Sequence, residues 1–404
     1  MSKFKQFSLI ISGFALGQGS MFLAQTWLVV QEQFELLASI GIGLGILSLL
    51  QWAADCGGIY LLPKQLEEEN FQQKFWAFVA ARLVFSILFI ALVLVALNSI
   101  AINAITYSMV LYGSLSAIIW SFNIAGILDS KQLNRIAGPM SGLCWVFAAI
   151  PVVALADSKY LGETIGIAFS LGLLVTLLIQ FKSIRQTDIN LAPCVPHTRL
   201  IKEQFIKGST YNGAYISSQA YGRIIPILVD KLIDSFSAGI YVYAKNIANT
   251  VSQFVEFSRR VEFSTIVRLV RANNFDIRAI ITGQKLSISI ITAFFALTAL
   301  AYVALYIYDN QHYLLIAQVT LILIAILFLW GLSSALGQAL VALEKTGYYA
   351  LIIALTLLSS LLIIFSSIEQ IGLTGIYLGE SLMFILQIFA FVLHIQKHQR
   401  LCNI

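Results

Sequence analysis

Asp55, Arg82, Arg223, Lys245, Glu256 and Glu380 stand within stretches of about 20 residues that read as membrane spans. A charge held at that depth costs a few kcal/mol or more unless it faces a partner, a cavity or water. Each of these residues therefore marks a packing pair or a working site. Asp55 and Arg82 lie at similar depths in consecutive antiparallel segments, which fits an ion pair pinning a hairpin, or a gate or coupling element. Arg223 and Lys245 are accompanied at helical spacing by Tyr215, Gln219, Tyr241 and Asn249, with Tyr211, Asn212, Asn246, Ser252 and Gln253 nearby. Such a wall offers cations to phosphates, amides and hydroxyls to sugar oxygens, and aromatic faces to pyranose rings. The competing reading pairs these cations with Glu256, Asp55 or Glu380 for packing alone. Glu380, in the last span at about the depth of Lys245, is an ion-coupling candidate, because a carboxylate in a low-dielectric wall takes up a proton or sodium ion reversibly. A Lys245–Glu380 pair that breaks on protonation satisfies both readings.

The elements carrying these residues are set by composition. The chain of 404 residues is 59% hydrophobic and 11% charged, with mean hydropathy +0.85. That is more apolar surface than one water-soluble core can hide, so lipid is part of its solvent. About twelve transmembrane helices are expected, at 7–30, 38–62, 75–97, 102–127, 137–156, 161–181, 207–229, 236–257, 284–307, 313–341, 347–367 and 371–395. The first is read as a retained helix rather than a signal peptide. With the N-terminus inside, only Lys159 and Lys231 fall outside and Arg82, Arg223 and Lys245 fall within spans. Every other Lys and Arg of the 25 lies on the cytoplasmic side. The positive-inside rule then places both ends in the cytoplasm, and a bacterial inner membrane is the expected location. Cytoplasmic anchoring accounts for the net charge of +5 without a nucleic-acid partner.

The expected class is all-α: two six-helix bundles around a central cavity, at 1–190 and 207–404, joined by a cytoplasmic linker at 191–206. Within the second, loop 259–280 sets Phe263, Ile266 and Val270 on one stripe and Arg260, Arg268 and Arg271 on another. That is the pattern of a helix in the anionic headgroup layer, or of a solvated linker. Cys56, Cys144, Cys194 and Cys402 have no paired spacing, and His197, His312, His394 and His398 are scattered, so no disulfide framework, metal site or cofactor is expected.

One local pattern is shared by the halves: Ser39-Ile40-Gly41-Ile42 opens the second span and Ser237-Ala238-Gly239-Ile240 the eighth. With the continuation Tyr241-Val242-Tyr243-Ala244, the small-residue run through Asp55-Cys56-Gly57-Gly58, the size and the short outer loops, the chain resembles the polysaccharide-exporter branch of the multidrug/oligosaccharidyl-lipid/polysaccharide (MOP) exporter superfamily. That resemblance implies a Wzx-type flippase, carrying an undecaprenyl-diphosphate-linked O-antigen or capsule repeat unit from the cytoplasmic to the periplasmic leaflet by alternating access. It implies as partners the lipid-linked oligosaccharide, membrane lipid, a polysaccharide polymerase and a chain-length regulator. No G-x-x-x-x-G-K-[ST] motif is present, so an ion gradient or the membrane potential is the expected energy source. The rivals are a drug/cation antiporter of the same superfamily, expected to prefer acidic cavity walls, and a membrane polysaccharide polymerase. The outer loops are too short to build an enzyme site, so the chain is read as a non-enzyme.

Overall fold

A computed structural model describes the backbone of residues 3–66, 68–131, 133, 140, 142–271, 277–308, 311–343 and 345–402. Side chains are described for these residues except 3–12, 14, 59–60, 129, 210–215, 217–218, 257, 260–261, 263–265, 267–271, 346 and 398–402. Every regular element among the described residues is an α-helix. In chain order they are α1 (Lys3–Val30), α2 (Phe34–Asp55), α3 (Gly58–Gln65), α4 (Phe71–Ser99), α5 (Ala104–Gly113), α6 (Leu115–Trp120), α7 (Ala125–Ser130) and α8 (Leu143–Ala154). There follow α9 (Leu161–Ile184), α10 (Thr198–Leu232), α11 (Ser235–Arg271), α12 (Ile277–Thr282), α13 (Lys285–Ile307), α14 (Gln311–Ala342), α15 (Thr346–Ile371) and α16 (Leu373–Cys402).

Among the described residues seven of these helices, α2, α4, α9 and α13 to α16, are long and apolar enough to cross a membrane, and α5–α6 and α8 are shorter apolar helices. The protein is a multi-pass all-α membrane protein of about twelve crossings. Lipid-exposed leucines and phenylalanines explain the solubility class: Leu88, Leu92, Leu300, Leu362 and Phe389 are each more than 60% exposed.

The chain forms two compact units, Met1–Arg223 and Ile224–Ile404. In the first unit, α9 packs on α5 and α8, and α1 packs on α8. Glycines let these backbones meet: Gly166 lies against the backbone of Met109 and Gly113, and Gly17 against that of Gly142, with no room for a Cβ at either. Between helices in lipid, where apolar burial drives little, such close approach supplies the packing. In the second unit α14 is central, packing on α11, α13 and α16, while α15 packs on α16. Buried Ser333, Thr356 and Gln387 tie three of these helices together. Gln387 Nε2 donates to Thr356 Oγ1 at 2.9 Å, and Ser333 Oγ donates to Gln387 Oε1 at 2.6 Å.

Several elements differ from the sequence expectation. The span expected at 38–62 breaks at Cys56 and Gly57, both in the left-handed region (φ 45° and 73°). The span expected at 102–127 breaks between Trp120 and Ala125. α10 begins at Thr198, inside the segment read as linker. The expected end of the eighth span at residue 257 is passed, because no Gly or Pro interrupts 257–271 and the hydrogen-bond ladder runs on to Arg271. Ile266, expected on a headgroup-facing stripe, is instead buried against Ile280, Leu336 and Leu340. Phe263 and Val270, with Arg260, Arg268 and Arg271, lie outside the described side chains.

Candidate functional site

In the second unit, Asp234 starts α11 by accepting from Ser237 N at 2.6 Å and Ser237 Oγ at 3.0 Å, an N-cap that fixes the helical phase of everything after it. From there Lys245, Asn249, Ser252 and Glu256 recur at i, i+4, i+7 and i+11, on one face, and all four are at least partly exposed. Ala244, Ala248, Val251 and Val255 occupy the neighbouring face and are buried. The helix thus packs its small and aliphatic side into the unit and presents its polar side outward. Lys245 stands ten residues along, roughly 15 Å from the helix start and near the middle of a bilayer core of about 30 Å. Polar side chains exposed at that depth must meet water or a polar solute rather than lipid.

Lys245 Nζ donates to Glu380 Oε1 of α16 at 2.8 Å. Tyr241, one turn before Lys245, donates its hydroxyl to the same oxygen at 3.4 Å, and its ring lies 5.9 Å from the lysine ammonium. The Glu380 side chain is 4% exposed and that of Lys245 24%. The carboxylate is thus held in the wall while the ammonium reaches the polar face. Tyr377, one turn before Glu380 on α16, has a buried hydroxyl with no hydrogen-bond partner among the described residues. The alternative in which Lys245 pairs with Glu256 is not what the structure has: Glu256 lies eleven residues further along the same helix, about 16 Å away, and is exposed.

In the first unit, the Arg223 guanidinium lies over the Trp52 ring at 5.5 Å and against Gly45 of α2, where a Cβ would approach its Cδ to 3.2 Å. Gln219, one turn earlier, is half-buried, and Tyr215 lies outside the described side chains. Asp55 and Arg82 are brought together as their depths predicted, with Arg82 Nη2 donating to Asp55 Oδ1 at 2.8 Å and Arg82 fully buried.

Sequence reasoning passed over other polar side chains. Arg259, counted on the cytoplasmic side because it follows the expected end of the eighth span at 257, is buried. Its guanidinium lies 4.1 Å from the Trp330 ring and donates to Gly331 O at 2.9 Å. Glu262, one turn further, accepts from Leu286 N at 2.7 Å and Ser287 Oγ at 2.6 Å, capping the start of α13. Nothing in a charge count separates these from solvated neighbours. A polar residue repeated every third or fourth position beyond the span end is the signal that could have found them.

No protein-family model matches the chain, and no curated protein does. Solved structures do match over nearly its whole length. A multidrug resistance transporter of the MATE family, MOP superfamily, in an inward-facing conformation has TM-score 0.65 and 14% identity, covering 100% of this chain and 96% of that one. The MATE multidrug transporter DinF-BH, solved as a complex with a ligand, has TM-score 0.60 and 15% identity, covering 97% and 95%. A MATE transporter in a bent conformation has TM-score 0.53 and 12% identity, covering 98% and 94%. The chain carries the fold of the MATE transporters of the MOP superfamily.

Proposed function

We propose that this protein is a flippase that moves an undecaprenyl-diphosphate-linked oligosaccharide, an O-antigen or capsule repeat unit, from the cytoplasmic to the periplasmic leaflet by alternating access. The observation that carries the reading is the α11 polar face. Lys245, Asn249 and Ser252 are partly exposed at membrane depth on a helix whose other side is packed, in a fold shared with transporters solved in inward-facing and bent conformations. A diphosphate needs a cation held where water is scarce, and sugar oxygens need amides and hydroxyls within a few turns of it. In the first unit, Arg223 on α10 is a further candidate cation, stacked on Trp52 and so restricted in orientation.

Glu380 is the coupling group in this reading. With Glu380 ionised, Lys245 is held against the wall. When the carboxylate takes a proton or a sodium ion, the ammonium is freed for the substrate phosphate, and the two states differ in affinity for the same headgroup. No bond is made or broken. A polymerase and a chain-length regulator would act on the delivered unit.

The test is a gene deletion complemented with wild type, Arg223→Ala or Lys245→Ala at matched protein levels. Complete lipid-linked repeat units should accumulate facing the cytoplasm, and only wild type should clear them. Outward-facing single units would identify a polymerase instead. A second reading, a drug/cation antiporter, is favoured by the multidrug transporters among the structural relatives. It predicts proton-driven export of cationic dyes from proteoliposomes, which the flippase reading does not.

A further inference from the structure

Two broken spans of the first unit meet at one side chain. α2 ends at Asp55, and the left-handed Cys56 and Gly57 separate it from α3. α6 ends at Trp120, and residues 121–124 separate it from α7. A helix break leaves carbonyl oxygens without their i+4 donors. Here Arg82, from the continuous helix α4, collects them. Its Nε donates to Asp55 O at 2.9 Å, and its Nη1 to Asn123 O at 2.8 Å and to Ser121 O at 3.4 Å. Its Nη2 donates to Asp55 Oδ1 at 2.8 Å, an oxygen that also accepts from Asn123 Nδ2 at 3.2 Å. The guanidinium lies 4.4 Å from the Phe78 ring. Gly58 lies so close that a Cβ there would fall on the guanidinium itself.

Three backbone carbonyls and one carboxylate oxygen converging in a buried pocket at helix breaks are the donor set of a hard monovalent cation site. We infer that Arg82 is a tethered cation: its guanidinium permanently fills an oxygen-lined site made by the two breaks, in place of an exchangeable ion, and so fixes α2–α3 and α6–α7 to α4. The charge balances, one carboxylate against one guanidinium. Five N–H donors in a planar fork match the four oxygens, whereas an ammonium has three donors. Arg82 is thus a positioning residue, and the inference does not depend on which solute the protein carries.

The experiment is thermal unfolding of the purified full-length protein in detergent. Arg82→Ala is expected to melt about 5–10 °C lower than wild type. Millimolar guanidinium should recover part of that loss, while choline at equal ionic strength should not. A folded Arg82→Ala that ignores guanidinium, sodium and potassium would overturn the inference. If Arg82→Ala yields no folded protein, Arg82→Lys decides. It keeps the charge but too few donors, so it should retain most of the melting loss, and wild-type melting in Arg82→Lys would show that charge alone suffices. Wild type is expected to melt identically in sodium and choline. A sodium-dependent rise in wild type that vanishes in Asp55→Asn would mean the site exchanges its ion, and the tethered-cation account would be wrong.

Discussion

At the scale of single residues, Asp55–Arg82 and Lys245–Glu380 are each held by short contacts, and the two ion pairs differ in kind. Arg82 is fully buried with four oxygen acceptors, while Lys245 keeps a quarter of its side chain exposed beside Glu380. A fully buried pair is a fastening, because breaking it strands a charge with no water to take it. A pair with one exposed member can open. Lys245→Met or Glu380→Met alone should therefore destabilise the protein by about 3 kcal/mol, and the double substitution by less than either. Melting temperatures of the two singles and the double, measured in one detergent, check this, and equal additive losses would show that the two side chains are not coupled. At Glu262, removing the carboxylate leaves Leu286 N and Ser287 N without a cap. Glu262→Ala should cost about 1 kcal/mol and speed amide exchange at the start of α13 relative to its middle.

At the scale of elements, the helices divide by what covers them. α13 shows most of its surface, with Leu297, Leu300 and Val303 exposed, as expected for a helix against lipid. α2 is mostly enclosed, with its central residues Ile40 to Leu47 nearly all buried. Where helices touch most closely, a glycine is the reason. Gly166→Leu would drive a side chain into the α5 backbone at Met109 and Gly113 and should abolish the monodisperse folded peak in size-exclusion chromatography. Gly19→Ala, at a helical position with nothing within 4 Å, should be tolerated and should raise helix stability by about 0.5–1 kcal/mol. A Gly19→Ala protein as damaged as Gly166→Leu would mean that close packing does not explain the glycines.

At the scale of the whole molecule, orientation in the membrane sets the direction of transport. Single cysteines in a cysteine-free background should report sides. Ser158→Cys, beside Lys159 in a short connection expected on the outer side, should react with a membrane-impermeant maleimide in intact cells, and Thr187→Cys, after the basic end of α9, should react only after lysis. The reverse pattern would invert the topology and with it the direction of the proposed flipping.

Sequence by itself determined the class of the protein and the depth of its charges. Apolar runs of spanning length can only be helices in lipid, since every backbone polar group must be satisfied within its own segment. Residue counting along those runs put Asp55 level with Arg82 and Lys245 level with Glu380, because helical rise is constant. Partner choice and continuity were decided only by tertiary structure. Counting along the chain left Glu256, Asp55 and Glu380 all open as partners of Lys245, and the packing of α16 on the second unit brought Glu380 to it. A hydropathy window passes over the break at Cys56 and Gly57 because the apolar run resumes at Ile59 to Leu62, and the Asp55 carbonyl freed there accepts from an arginine 27 residues away in sequence. Arg259 looked like an anchor in water, and its burial follows from the unbroken run of α11 and from Trp330, which no local pattern connects to it. Local periodicity reports which face of a helix is apolar, and only packing decides which other helix answers it.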